Sequence, residues 1–362
     1  MYLTYSLETK VSDSKINKGN YFEDFKLHEK IIHPLPRTIS DGDVSLYIAL
    51  TGSRFALHSS VELARSMGYK ERPVDDILLF HLAFGKSVVD ISLNALANLG
   101  YAEVIFPDPV FVGDTVRLES TVIGLKENSN ARSGNVYVHS QGYNQHGELI
   151  LSFKRWVMVH KKDYSMQTGI HEIPSMEAIV PVADQLAIPP VRMTDISQTG
   201  SPFFWEDYVI GERLDHPEGI TIDNSDHTLA TKLYQNNAKL HFDDHMMKSE
   251  KMGQRLMYGG HVISICRSIS FNGLGNALWL YAINSGTHAN PTFGGDTLYC
   301  YSEVLDVIKH HRKDIGLLRL RTIGLKNITP KEVSQARSEE NKYHSYVVLD
   351  LDYTVVIPKR NQ

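Results

Sequence analysis

The chain of 362 residues is poor in cysteine, with only Cys266 and Cys300, and their spacing fits no metal-binding pattern. A disulfide framework is therefore not expected, and the composition suits a reducing, cytoplasmic setting. No apolar run reaches the roughly 18 residues that a membrane span needs, so no membrane segment is expected. The stretch MYLTYSLETKVSDSKINKGN lacks a basic region followed by an apolar run and does not read as a signal peptide. It reads as a polar, loose arm. Positive charge is not in excess: 37 Lys and Arg stand against 42 Asp and Glu, a net charge of −5. That argues against a nucleic-acid partner, although a small basic pocket for an anionic ligand fits easily within an acidic total. There is no glycine-rich phosphate loop and no cluster of ligand types that suggests a metal. The pair His310-His311 stands alone and reads as part of a turn.

What the chain does have is a duplication. Glu23-Asp24-Phe25 recurs as Glu206-Asp207-Tyr208, Glu29 as Glu212, and His33-Pro34 as His216-Pro217. Thr38-Ile39 recurs as Thr221-Ile222, Asp43 as Asp226 and His58 as His241, every pair at an offset of 183. Further on, Ile91-Ser92-Leu93-Asn94 recurs as Ile269-Ser270-Phe271-Asn272, and Pro109 to Thr115 as Pro291 to Thr297. The repeat is too long for a solenoid unit and is a whole small domain, copied. The first copy is placed at residues 20–161, a proline-bearing linker at 162–200, and the second copy at 201–362. Each copy has room for a core of its own.

Both copies have the same order of elements. A short strand and a polar helix start lead to a long apolar segment, then to several strands. Residues 77–99 are apolar nearly all round and predict a buried helix, as do residues 262–280 in the second copy. Strands are predicted at 115–125, 135–143 and 148–160, and again at 298–308, 315–325 and 346–357. The last hairpin of the second copy carries a longer polar loop, residues 327–344.

One helix wrapped by an antiparallel sheet, with Pro-Val-Phe-Val-Gly-Asp-Thr at 109–115, resembles the hot-dog fold of MaoC-like hydratases. The expected fold class is α+β, a double hot dog. That family carries a motif of the form Gly-Asp-x-Asn-Pro-x-His-x-Asp, whose Asp and His activate water. Here the first copy reads Gly52 to Ser60 and the second Gln235 to Asp243. Both keep the His. Neither keeps the first Asp, which is Ser53 in one copy and Asn236 in the other. Thr51 to Ser60, Asp90 to Tyr101 and Arg155-Trp156-Val157-Met158-Val159 are similar to the mesaconyl-CoA hydratases, also called β-methylmalyl-CoA dehydratases. The resemblance implies an acyl-CoA substrate with a free carboxylate, no cofactor beyond the coenzyme A of the substrate, and a homodimer.

Hydration of an unsaturated thioester needs a base for water, stabilisation of the carbonyl oxygen and a proton for the α-carbon. Histidine is the natural base, and helix N-terminal amides are the natural oxyanion donors. Gly259-Gly260 precedes the second apolar helix, whereas Asp75-Asp76 precedes the first. The active site is therefore placed in the second copy, with His241, Asn236 and Gly260 as the chemical residues and Asp243 and Gly259 in support. His58, in the diverged copy, reads as a packing residue. Asn236 also suits a backbone turn, and Asp243 a helix cap. Arg54, Lys239 and Arg255 are the candidate cations for the substrate, since a guanidinium grips a carboxylate with two hydrogen bonds. Three other readings share these residues: an (R)-specific hydratase of other acyl chains, a hot-dog thioesterase and a non-catalytic thioester binder.

Overall fold

The computed structural model describes residues 15–191 and 196–360. Most of the N-terminal arm, residues 1–14, lies outside them. The first half runs β1 (Lys30–Thr38), α1 (Asp41–Thr51), α2 (Val61–Ser66), α3 (Asp76–Lys86), β2 (Ala95–Ile105), β3 (Thr115–Glu127), β4 (Ser133–Tyr143) and β5 (Leu149–His160). A two-residue strand, β6 (His171–Glu172), follows. The second half repeats the order with β7 (Arg213–Thr221), α4 (Asn224–Leu233), α5 (Lys239–Phe242), α6 (Asp244–Ser249), α7 (Gly259–Ile269) and α8 (Phe271–Leu274). It closes with β8 (Trp279–His288), β9 (Thr297–Lys309), β10 (Ile315–Lys326) and β11 (Val347–Pro358).

The strands form one sheet in the order β1-β3-β4-β5-β2-β8-β11-β10-β9-β7, with β6 beside β3. The order is the same read from either end if each strand is exchanged for its repeat, so the copies are related by a pseudo-twofold. The join is antiparallel pairing of β2 with β8, Tyr101 opposite Gly286 and Val104 opposite Ile283. The repeated His-Pro fixes the same irregularity at both edges. Register shifts between His33 and Arg37 in one copy and between His216 and Ile220 in the other. Proline has no N–H for the ladder, which is tolerable only at an edge or bulge. His33 Nε2 lies 2.8 Å from Ser120 Oγ, and His216 Nε2 lies 2.9 Å from Ser302 Oγ.

The long apolar segments are not single helices. α3 stops at Lys86, a wide turn spans Val88–Ser92, and β2 starts at Ala95. In the second copy α7 ends at Ile269, and β8 starts at Trp279. Helix and strand are both buried here, so the hydrophobic run continues across the boundary and hides it. Leu78, Leu82 and Phe84 of α3 belong to the same buried apolar cluster as Ile263, Ile265 and Ile269 of α7. The two halves thus share a core along their helices. Residues 162–191 cross between them: Val180 N donates to Asn284 Oδ1 at 2.9 Å, and Val191 N to Asp314 Oδ2 at 2.7 Å.

Candidate active site

A cavity of about 240 Å³ opens between the N-terminus of α7 and strands β2 and β5 of the other half. Its wall includes His241, Asn236 and Gly259 together with Tyr101, Arg155 and His288. The second copy therefore supplies the motif residues, and the first copy supplies much of the opposite wall.

His241 sits on α5, a single turn of helix, and is 9% exposed. Its Nδ1 is 2.8 Å from the carbonyl oxygen of Leu256. A carbonyl can only accept, so Nδ1 carries the hydrogen and the neutral ring leaves Nε2 with a free lone pair. Nε2 has no protein partner among the described residues. Burial holds the His241 pKa down to about 4, partly countered by the bond to Leu256. The ring is therefore neutral around pH 7, with Nε2 as the proton acceptor.

Asn236 follows Gln235, whose φ of 53° turns the chain sharply after α4. The Asn236 Oδ1 accepts from Ala238 N at 3.3 Å, holding the turn that presents α5. Its carboxamide nitrogen has no partner among the described residues. Asn236 thus does what a turn-forming residue does and also lines the cavity, 2% exposed.

Gly259 and Gly260 form the first turn of α7, whose N-cap Tyr258 makes no side-chain capping bond. The first amides of a helix lack internal partners. Here neither glycine N–H finds one among the described residues. Gly259 lines the cavity, whereas Gly260, expected at the site, is buried and is not part of the wall, so the open amide at the end of α7 is that of Gly259. A Cβ on Gly259 would lie 2.6 Å from the His288 ring, and one on Gly260 would lie 2.4 Å from the Tyr258 ring. Glycine is what lets the helix start sit against both rings. His288 Nε2 is in turn 3.2 Å from the Tyr101 hydroxyl, and burial pushes the His288 pKa down to about 4.

Other expected site residues lie elsewhere. Arg54 does not line the cavity: it pairs with Glu218 at 3.0 Å and lies 4.7 Å over the Phe271 ring. Arg255 is also off the wall, donating to Thr228 Oγ1 at 2.8 Å and lying 3.7 Å from Asp244. Asp243 caps α6, its Oδ1 accepting from Met246 N at 2.9 Å. Lys239 is exposed on α5, between Ala238 and Leu240, which line the cavity. Arg155 was legible as unusual. It is in phase with buried Leu151, Phe153, Val157 and Val159 on β5, where a charge breaks the apolar face. Tyr101 and His288 carried no such signal.

The first copy holds a second cavity of about 230 Å³ around His58 and Asp76. Its construction is the same: His58 Nδ1 is 3.1 Å from the Pro73 carbonyl, and Pro73 precedes Leu256 by the repeat offset of 183. The helix start differs. Asp75 caps α3, accepting from Ile77 N at 2.9 Å, and Asp76 stands where Gly259 stands in the second copy. Burial raises the Asp76 pKa to about 7. Linker residues Ala183 and Gln185 to Ile188 line this cavity as well. A capped helix start beside a carboxylate is a poor place for an oxyanion, so the two cavities are not chemically equivalent.

Among the described residues, no group of three or more His, Cys, Asp or Glu is placed to hold a metal ion. No described helix is long and apolar enough to cross a membrane.

The chain is 50% identical over 347 residues to a mesaconyl-CoA hydratase of Cereibacter sphaeroides, covering 95% of this chain and 100% of that one. It is 48% identical over 351 residues to a β-methylmalyl-CoA dehydratase of Chloroflexus aurantiacus, covering 96% and 99%. A crystal structure from Chloroflexus aurantiacus, of a MaoC domain dehydratase, superimposes with a TM-score of 0.94 at 48% identity over 96% of this chain and all of that one. A Mycobacterium tuberculosis protein with a double hotdog fold, 23% identical, reaches 0.74 over 94% of this chain and 99% of its own and supports the fold alone. The family model for mesaconyl-CoA hydratase matches residues 5–338. By sequence and by fold, this chain belongs to the mesaconyl-CoA hydratase family.

Proposed function

We propose that this chain reversibly hydrates mesaconyl-CoA to β-methylmalyl-CoA, with the chemistry in the cavity beside α7. The carrying observation is a neutral His241 with Nε2 unpaired, in the same cavity as an uncapped helix N-terminus. In this scheme His241 Nε2 takes a proton from water as the water oxygen bonds to the β-carbon. The electron pair of the double bond moves onto the thioester carbonyl, and the Gly259 amide at the start of α7 stabilises the oxygen that becomes negative. The imidazolium so formed is the acid at hand for the α-carbon. One O–H bond and the π bond of the alkene break, one C–O and one C–H bond form, and His241 returns to neutral. Asn236 hydrogen-bonds within the site but cannot take the water's proton. No cofactor enters the reaction, since coenzyme A is part of the substrate.

Lys239, exposed beside the lining residues of α5, is the proposed cation at the mouth for the coenzyme A phosphates. Cytoplasmic residence and a homodimer belong to the same reading, and light scattering in solution tests the dimer. The deciding experiment is incubation with mesaconyl-CoA and crotonyl-CoA side by side, with mass analysis of the products. Gain of one water on mesaconyl-CoA supports the proposal. Gain on crotonyl-CoA alone would make the chain a hydratase of another acyl group. Release of free thiol would make it a thioesterase, and binding without turnover a thioester binder.

A further inference from the structure

Arg155 is the only Asp, Glu, Lys or Arg among the described residues lining the catalytic cavity. It is fully buried, at 0% exposure. Its Nη2 donates to Ser87 Oγ at 2.8 Å and its Nη1 to Ser92 Oγ at 3.5 Å, both neutral acceptors. The guanidinium carbon lies 4.2 Å over the Phe84 ring. Its Nε is buried with no hydrogen-bond partner, and no carboxylate within ion-pair distance is found among the described residues. Burial lowers its pKa to about 10, which still leaves it a cation near neutral pH. A guanidinium has five N–H donors, and here the neighbouring protein uses few of them. Buried charges are ordinarily paired, because an unpaired one is costly. An anion entering through the cavity that Arg155 lines would supply that pairing.

We propose that Arg155 is the subsite for the free carboxylate of a dicarboxylic monothioester substrate. This rests on the mesaconyl-CoA reading, in which the carboxylate sits on the β-carbon that water attacks. A carboxylate there would supply the counter-ion that Arg155 lacks, in the paired geometry that guanidinium favours. Ser87 and Ser92, hydrogen-bonded to the two terminal nitrogens, position the fork. Arg155 comes from β5 of the first copy, while His241, Asn236 and α7 come from the second. The copy that carries the poorer helix start then supplies recognition, and neither copy alone makes the site.

The test uses the full chain, with Arg155→Gln and Arg155→Lys, on mesaconyl-CoA and 2-methylcrotonyl-CoA. The second thioester has a methyl group in place of the carboxylate. Removing one partner of a buried charge pair is expected to lower kcat/KM on mesaconyl-CoA by about 30-fold to 10³-fold. On 2-methylcrotonyl-CoA the change should stay within about threefold, and Arg155→Lys should fall between. In parallel, calorimetry measures binding of succinyl-CoA and butyryl-CoA, saturated thioesters that cannot be hydrated. Wild type should prefer succinyl-CoA, and Arg155→Gln should lose that preference. Equal losses on both unsaturated thioesters, with the succinyl preference retained, would overturn the proposal and leave Arg155 a structural residue. If Arg155→Gln does not fold, the same comparisons on Arg155→Lys decide. A wild type that prefers succinyl-CoA in binding yet leaves mesaconyl-CoA unchanged would sink the hydratase reading while keeping the carboxylate subsite.

Discussion

His81 Nε2 lies 2.8 Å from Ser264 Oγ, and the two residues occupy the same position in the two copies, 183 residues apart. The pseudo-twofold axis therefore passes between an imidazole and a hydroxyl, deep between α3 and α7. Ser264 also accepts from the Tyr47 hydroxyl at 3.1 Å, and His81 Nδ1 is 3.3 Å from the Tyr258 hydroxyl. The sequence of contacts runs from the shared core to Tyr258, which lines the candidate active-site cavity. Replacing Ser264 by Ala removes a partner from two buried polar groups. An unsatisfied buried group costs about 1–3 kcal/mol, so Tm should fall measurably. Scanning calorimetry with and without a bound thioester checks this.

His241→Ala should lose about 10²–10⁴-fold in kcat, the usual contribution of general-base assistance. His58→Ala should lose far less, because its cavity faces a capped helix and the carboxylate of Asp76. Steady-state assays on both variants, with folding checked by circular dichroism, are the measurement. A crippled His58 variant beside a nearly normal His241 variant would move the site to the first copy.

Gly259→Ala places a methyl group 2.6 Å from the His288 ring. The ring or the helix start must shift, and displacement on the order of 1 Å at a reacting centre can cost about 10²-fold. A fall in kcat of at least about tenfold, with Tm little changed, is expected. Normal turnover would mean that the open end of α7 does not hold the oxyanion.

Asn236→Asp is expected to shift preference away from mesaconyl-CoA and toward crotonyl-CoA. The new charge would meet the substrate's own carboxylate. Two like charges about 4 Å apart repel by roughly 1 kcal/mol in water and about 4 at an effective dielectric of 20. That is a swing of about 5-fold to 10³-fold in the ratio of kcat/KM values. An unchanged ratio would place Asn236 away from that carboxylate.

Stability should fall as pH drops from 6.5 toward 4. Burial holds His216, His241, His261 and His288 down to about 4 in the folded chain, against an ordinary value of 6.5. Between those values the unfolded chain binds more protons than the folded one, so acid favours unfolding. Asp76, raised to about 7, acts in the opposite sense, gaining a proton on folding. Four histidines outweigh one carboxylate, and thermal melts across this range should show a decline toward acid.

The duplication, the double hot-dog class and the hydratase family were readable in one dimension. Repeats at a fixed offset and alternating strands are properties of residue order alone. His241 and Gly259 stood out as candidates for the same reason, since the repeat set them against His58 and Asp76, and the structure brings both to one cavity. Other features depended on the third dimension. The apolar runs at 77–99 and 262–280 hide a helix-to-strand boundary, because both elements are buried and hydrophobicity does not change there. Arg54 and Arg255 were expected at the substrate and instead face Glu218 and Asp244, partners that no local pattern reveals. Arg155 broke the apolar face of β5, so its oddity could be seen in the sequence, but its place in the cavity that His241 lines could not. That placement exists only because β2 pairs with β8 and brings Arg155 of one copy to the cavity at the start of α7 of the other. Contacts between residues so far apart in the chain are set by the join of two sheets and the packing of two helices, and packing is a property of the whole molecule.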